Sequence, residues 1–146
     1  MPHHYKHILL AVELESNCDA FLITRTKELL QDYQSKLTVI HAVEHNSNYG
    51  AAYGVMAGVD VEDMLITEAE KGMDEVVKHL GVEDCNPLIK IGSAKQVILE
   101  EAEAINADLI IVGSHGRHGV ALLLGSTANA TLHGAHCDVL AVRVPD

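Results

Sequence analysis

Gly113-Ser114-His115-Gly116-Arg117-His118-Gly119, followed by Gly125-Ser126-Thr127, is the stretch of this chain whose residue types and spacing suit chemistry. It follows Ala107-Asp108-Leu109-Ile110-Ile111-Val112, a near-continuous apolar run that predicts a buried strand. The residues after Gly125 predict a helix. Strand, glycine-rich loop and helix N-terminus together form an anion cradle. Glycines admit close backbone approach, and the first N–H groups of the helix and its dipole face a phosphate. Ser126 and Thr127 add hydroxyl donors, and Arg117 adds a cation. A loop of about 13 residues is long for a compact domain, which favours a functional role. Glycines that only turn the chain are the alternative. No lysine precedes Ser126, so the GxxxxGK[ST] pattern is absent, and no GxGxxG follows the first strand.

The elements that must position this loop alternate in type. Strands are predicted at 6–12, 36–43, 88–91, 109–112 and 138–144. Most are continuous apolar runs, as in a parallel sheet covered on both faces. Helices are predicted at 17–33, 61–80, 94–105 and about 127–133. The first is opened by Ser16 with Asp19 three residues on, a capping-box spacing. The second aligns Ile66, Ala69, Met73, Val76 and Leu80 on one face. The third begins after Ser93, with Gln96 in the reciprocal position, and buries Ile98, Ala102 and Ile105. The fourth ends on Gly134 as a C-terminal cap. The order β-α-β-α-β-α-β-α-β implies an α/β fold, a five-stranded parallel sheet with helices on both faces. Ligands of such sheets bind beyond the carboxyl ends of the strands, where the strand order reverses. The first strand ends at Ala11-Val12-Glu13 and the fourth at Gly113; if these two strands are neighbours at the switch point, one cleft holds both loops. Residues 45–54, rich in Gly, Asn and small side chains, lie on the same edge as a linker or as a lid carrying Tyr49 and Tyr53.

Composition bounds the function. The 146 residues, 48% hydrophobic, suit a single domain over 1–146. A net charge of −11 argues against nucleic acid and anionic membranes as partners. No apolar run reaches the ~18 residues of a membrane span, and the N-terminal residues show no cleavage-site pattern, so a cytoplasmic location is expected. Cys18, Cys85 and Cys137 form no CxxC and are expected to be reduced packing residues. His3, His4 and His7 suggest at most loose metal binding. His41 is expected to be a satisfied core or edge residue, and His133 and His136 to sit at a helix end.

Four segments resemble the universal stress protein family, the UspA-like proteins: Lys6-His7-Ile8-Leu9-Leu10-Ala11-Val12-Glu13, Leu37-Thr38-Val39-Ile40-His41-Ala42-Val43, Ala107 through Arg117, and Cys137-Asp138-Val139-Leu140-Ala141-Val142-Arg143. The resemblance covers nearly the whole chain. It implies a Rossmann-like sheet of order 3-2-1-4-5 and a homodimer joined through the last strand, 138–144. It further implies an adenine nucleotide, ATP or AMP, with Mg²⁺ accompanying the triphosphate, in a stress sensor or regulator. Gly113, Gly116, Gly125 and Ser126 match the nucleotide-binding branch. Ala11, Val12 and Glu13 would line the adenosine side, and Ala42 would offer backbone to the base. Ser114, His115, Arg117 and Thr127 complete the expected site. Two departures stand out. Glu13 replaces the usual Asp, and eight residues, Arg117 to Leu124, separate Gly116 from Gly125, one fewer than the family spacing. A nucleotide-free interaction module and a slow ATPase using His115 or His118 are the alternative functions.

Overall fold

The computed structural model describes residues 5–44, 61–115 and 125–145, without the side chains of residues 16–18 and 115. The elements are β1 (His7–Ala11), α1 (Ser16–Tyr33), β2 (Lys36–Val43), α2 (Val61–Leu80), β3 (Cys85–Ile91), α3 (Ala94–Ala104), β4 (Leu109–His115), α4 (Ser126–Gly134) and β5 (Asp138–Val144). The strands form one sheet of order β3-β2-β1-β4-β5. All four pairings are parallel. This is the expected α/β architecture and strand order.

The continuous apolar strands are explained by two cores. Side chains alternate along a strand, so each run feeds both faces of the sheet. Ile8, Leu10, Val12, Leu109 and Ile111 pack on one face with Leu22 of α1 and Met73, Val76 and Leu80 of α2. Leu9, Ala11, Ile110 and Val112 pack on the other with Val97, Ile98 and Ala102 of α3 and Ala128 of α4. Each fully buried large aliphatic side chain contributes about 1.5–3 kcal/mol. On α2, Ala69, Met73, Val76 and Leu80 are buried as the spacing predicted, while Ile66, one turn earlier, is half-buried.

Polar contacts lock the amino ends of the strands. The Asp108 carboxylate accepts the Lys6 N–H at 2.8 Å and the His7 N–H at 3.0 Å. The Tyr5 hydroxyl donates to Asp138 Oδ2 at 2.8 Å, which with burial pushes the phenol up to about 12. His7 Nε2 meets Thr38 Oγ1 at 2.7 Å, and burial first, then the Lys36 charge, holds the His7 imidazole below its ordinary pKa.

Three local expectations are corrected. The strand predicted at 88–91 begins at Cys85, with Pro87 opposite Val39. Proline counts against a strand in sequence but is tolerated on an edge, and β3 is an edge. Helix α1 has Glu15 at its N-cap, so Ser16 is its first helical residue rather than the cap. Asp19 accepts the Glu13 N–H, at 3.2 Å. Gly134 is the last residue of α4 and Ala135 the cap. The space at Gly134 is taken by Leu99, since a Cβ there would lie 2.7 Å from Leu99 Cδ1. Close approach of α3 and α4, not a left-handed cap, is what this glycine permits. By contrast, Ser93 does cap α3, accepting the Gln96 N–H at 3.4 Å.

Cys85 and Cys137 are free and half-buried, and burial raises both thiol pKa values. The Cys18 side chain, His3 and His4 lie outside the described residues. Among the described residues no cluster of three or more His, Cys, Asp or Glu is placed to hold a metal ion. No described helix is long and apolar enough to cross a membrane.

Candidate functional site

β1 and β4 are neighbours, with β2 and β3 on one side and β5 on the other, so the strand order reverses between them. At their carboxyl ends lies a cleft of about 320 Å³. Ala11, Val12 and Glu13 form its β1 wall, Ile40, His41, Ala42 and Glu44 its β2 wall, and Val112 and Gly113 its β4 wall. Ala94 and Ile98 of α3 and Thr127 of α4 close it. The volume falls within the range of small-molecule sites. Ala11, Ala42, Ala94 and Gly113 carry one side-chain carbon or none, which leaves room along a mostly apolar floor.

Six residues expected from sequence thus come together: Ala11, Val12, Glu13, Ala42, Gly113 and Thr127. Ser114 does not join them. It is buried within β4, in register with Arg143 of β5. Gly125 is the N-cap of α4 and Ser126 its first residue, beside Thr127. A glycine thus stands at the N-cap and makes no side-chain cap bond. The first N–H groups of a helix have no intrahelical acceptor, so this end suits an anion. Gly125 has φ 88° and ψ 153°, a conformation nearly confined to glycine. β4 runs on to His115, two residues beyond Gly113. Gly116, Arg117 and His118, and the segment 45–60, lie outside the described residues, as does the His115 side chain.

The turn after β1 is held by polar contacts. His41 Nδ1 lies 2.9 Å from the Val12 carbonyl, which can only accept, so Nδ1 carries the proton. This satisfied strand histidine is as expected. Asp19 is only 4% exposed, and burial pushes its carboxyl pKa above the ordinary value. The Glu13 and Leu14 N–H groups pull it back down in part. Glu44 Oε1 accepts the Ala94 N–H at 3.0 Å and so ties the β2 wall to the start of α3. Ile40, His41, Glu44, Ala94, Ile98 and Val112 also line the cleft and are not among the site residues expected from sequence. Glu44 and Ala94 meet through the packing of β2 against α3, a contact that no local pattern marks.

A larger cavity of about 510 Å³ opens beside this one, between Leu14, the end of β2 and Leu65, Glu68, Ala69, Gly72 and Glu75 of α2. Its ionisable lining is Glu44, Glu68 and Glu75 against Lys71 and His41, so carboxylates outnumber the one lysine and it suits an anionic ligand poorly. The smaller cleft at the strand-order reversal is the better candidate.

This arrangement defines the doubly wound α/β class, with its ligand cleft at the topological switch point. The chain belongs to the universal stress protein family, whose model matches residues 4–143. It is 57% identical over 141 residues to universal stress protein A homolog 2 of Coxiella burnetii, covering 97% of both chains. Its fold is similar to that of the universal stress protein from Archaeoglobus fulgidus solved in complex with dAMP (TM-score 0.71, 17% identity, 96% of this chain and 99% of that one). It is also similar to a universal stress protein solved in complex with cAMP (TM-score 0.64, 19% identity, 96% and 98% covered).

Proposed function

We propose that this chain, as a single domain over residues 1–146, binds an adenine nucleotide in the cytoplasm and acts in stress response as a sensor or regulator. The observation that supports this reading most is the 320 Å³ cleft at the switch point, where Ala11, Val12, Glu13, Ala42, Gly113 and Thr127 meet. Fold relatives in complex with dAMP and cAMP support the ligand class. The residues fit the group. The base lies on the alanine floor, with the Ala42 backbone beside it. Glu13 accepts hydrogen bonds from the sugar hydroxyls. Gly113 admits the phosphate side, Ser126 and Thr127 donate from the first turn of α4, and Arg117 supplies the cation by its place in the sequence. With a triphosphate, Mg²⁺ would neutralise part of the phosphate charge.

The loop before Gly125 is one residue shorter than the family spacing. One residue spans up to ~3.5 Å of chain, while a hydrogen bond tolerates only a few tenths of an ångström about ~2.9 Å. Contacts to the outer phosphates are the ones a shorter loop forfeits. The net charge of −11 also opposes a triphosphate. Calorimetric titration is expected to give AMP and ATP affinities within about tenfold, or 1.4 kcal/mol. Binding of none of AMP, ADP and ATP, with or without Mg²⁺, would overturn the reading. ATP a hundredfold tighter than AMP would show that the shorter loop still grips the full phosphate chain.

The proposed partner is a second copy. β5 ends the sheet, and Val139, Leu140, Ala141 and Val142 run consecutively along it, with no proline and with charges only near its ends, at Asp138 and Arg143. Antiparallel pairing with its own copy would cover this edge in a closed two-fold contact. Light scattering at micromolar concentration is expected to give twice the 15.8 kDa chain mass. A single chain mass would remove the dimer from the proposal.

A further inference from the structure

The turn that leaves β1 is fixed at three points by three different elements. From β2, His41 Nδ1–H donates to the Val12 carbonyl at 2.9 Å. From α1, the Asp19 carboxylate accepts the Glu13 N–H at 3.2 Å and is also hydrogen-bonded by the Leu14 N–H. From α2, Gly72 provides the seat for Leu14: a Cβ on Gly72 would lie 3.2 Å from Leu14 Cδ1 and 3.3 Å from its Cβ. Leu14 itself has φ 64°, in the left-handed region that a bulky side chain rarely adopts. Such a conformation persists only where its surroundings enforce it, and it gathers at ligand sites.

Asp19 is the costly member of this set. Its carboxylate is buried, and burial disfavours an ionised carboxyl. Starting α1 does not require it, because the Glu15 carbonyl already receives the Asp19 N–H at 2.9 Å and Glu15 is the N-cap. What the carboxylate does hold is the backbone of Glu13 and Leu14, where the cleft's β1 wall ends.

We propose that Asp19 is the positioning residue of the cleft: its carboxylate fixes the Glu13–Leu14 turn, with Leu14 seated on Gly72, so that Glu13 is presented to the sugar of the bound nucleotide. This rests on the nucleotide reading above. Asp19→Asn keeps the shape but loses one acceptor oxygen, and Asp19→Ala loses both. The test compares both variants with the parent at pH 7 by calorimetric titration with AMP, by thermal melting and by amide hydrogen exchange at Glu13 and Leu14. The expected result is AMP binding weakened at least tenfold in Asp19→Ala and at least threefold in Asp19→Asn. Exchange at both amides should be faster, and the Asp19→Asn melting temperature should equal or exceed the parent's because a buried charge is gone. Affinities within twofold of the parent would overturn the proposal, as would an affinity that falls only in step with the melting temperature. Should Asp19→Ala not fold, Asp19→Asn decides. Should the parent bind no AMP, the nucleotide reading fails, and exchange at Glu13 and Leu14 still decides whether Asp19 holds the turn.

Discussion

Replacing Gly125 by valine is expected to weaken AMP binding by roughly 10- to 100-fold, about 1.4–2.8 kcal/mol. Gly125 occupies φ 88° and ψ 153° at the N-cap of α4. For a residue with a Cβ this conformation costs about 1–3 kcal/mol, and valine, branched at Cβ, tolerates it least. The chain would rotate to a permitted conformation, and the N–H groups of Ser126 and Thr127 would turn with it. Thr127 lines the cleft directly, so the change reaches the ligand rather than only the fold. Gly81→Ala is the control. Gly81 has φ 61° beyond the end of α2, outside the cleft lining. Alanine there should lower stability by about 1 kcal/mol and leave AMP affinity within twofold. Equal losses of affinity in the two variants would mean that general strain, not the α4 N-terminus, controls binding.

Asp108→Ala is expected to cost about 3 kcal/mol of stability while sparing ligand affinity. One carboxylate takes both the Lys6 and His7 N–H groups, at 2.8 and 3.0 Å, and the Asp108 N–H returns a bond to the His7 carbonyl at 3.0 Å. A hydrogen bond to a charged group contributes about 1.5–3 kcal/mol. Water regains part of each bond in the variant, because these groups are not fully buried, so the lower end applies to both. At ~2–4 °C per kcal/mol for a chain near this size, the melting temperature should fall by roughly 6–12 °C. Asp108→Asn, with one acceptor oxygen, should fall about half as far. Asp108 precedes β4, at the opposite end of the sheet from the cleft. A loss of AMP affinity matching that of Gly125→Val would show that the two ends of the sheet are coupled.

The sequence carried the sheet and much of the cleft because both rest on short-range patterns. Ile8-Leu9-Leu10-Ala11-Val12 and Leu109-Ile110-Ile111-Val112 are apolar without a break because each residue has a core to fill on one face or the other. The neighbouring of β1 and β4 was legible only through family resemblance, since no local pattern states which strands adjoin. Where local rules misled, a distant contact decided. Asp19 has the spacing of a capping residue for Ser16, yet it turns back to the Glu13 N–H. Gly134 has the position of a helix cap, yet Leu99 of α3 requires its missing side chain. Glu44 bonds the Ala94 N–H across 50 residues, and Asp108 bonds Lys6 across 102. Contacts of that range leave no periodicity to read.

The two margins of the sheet differ, and the difference bears on how large any assembly grows. On β3, Pro87 removes one N–H from the outermost strand, and Lys90 is exposed three residues on. Proline and charged side chains, lysine above all, hinder one strand from adding to another. β5 has no proline and no lysine. A sheet open at both margins would recruit copies end to end, each new copy offering a fresh edge, and would lengthen into a fibre. In the dimer proposed above, β5 is the receptive margin, the first association would use that edge, and growth would halt at two copies. On that proposal Pro87 and Lys90 together would act as terminators, and their replacement, not any change in β5, is what would open a route to filaments.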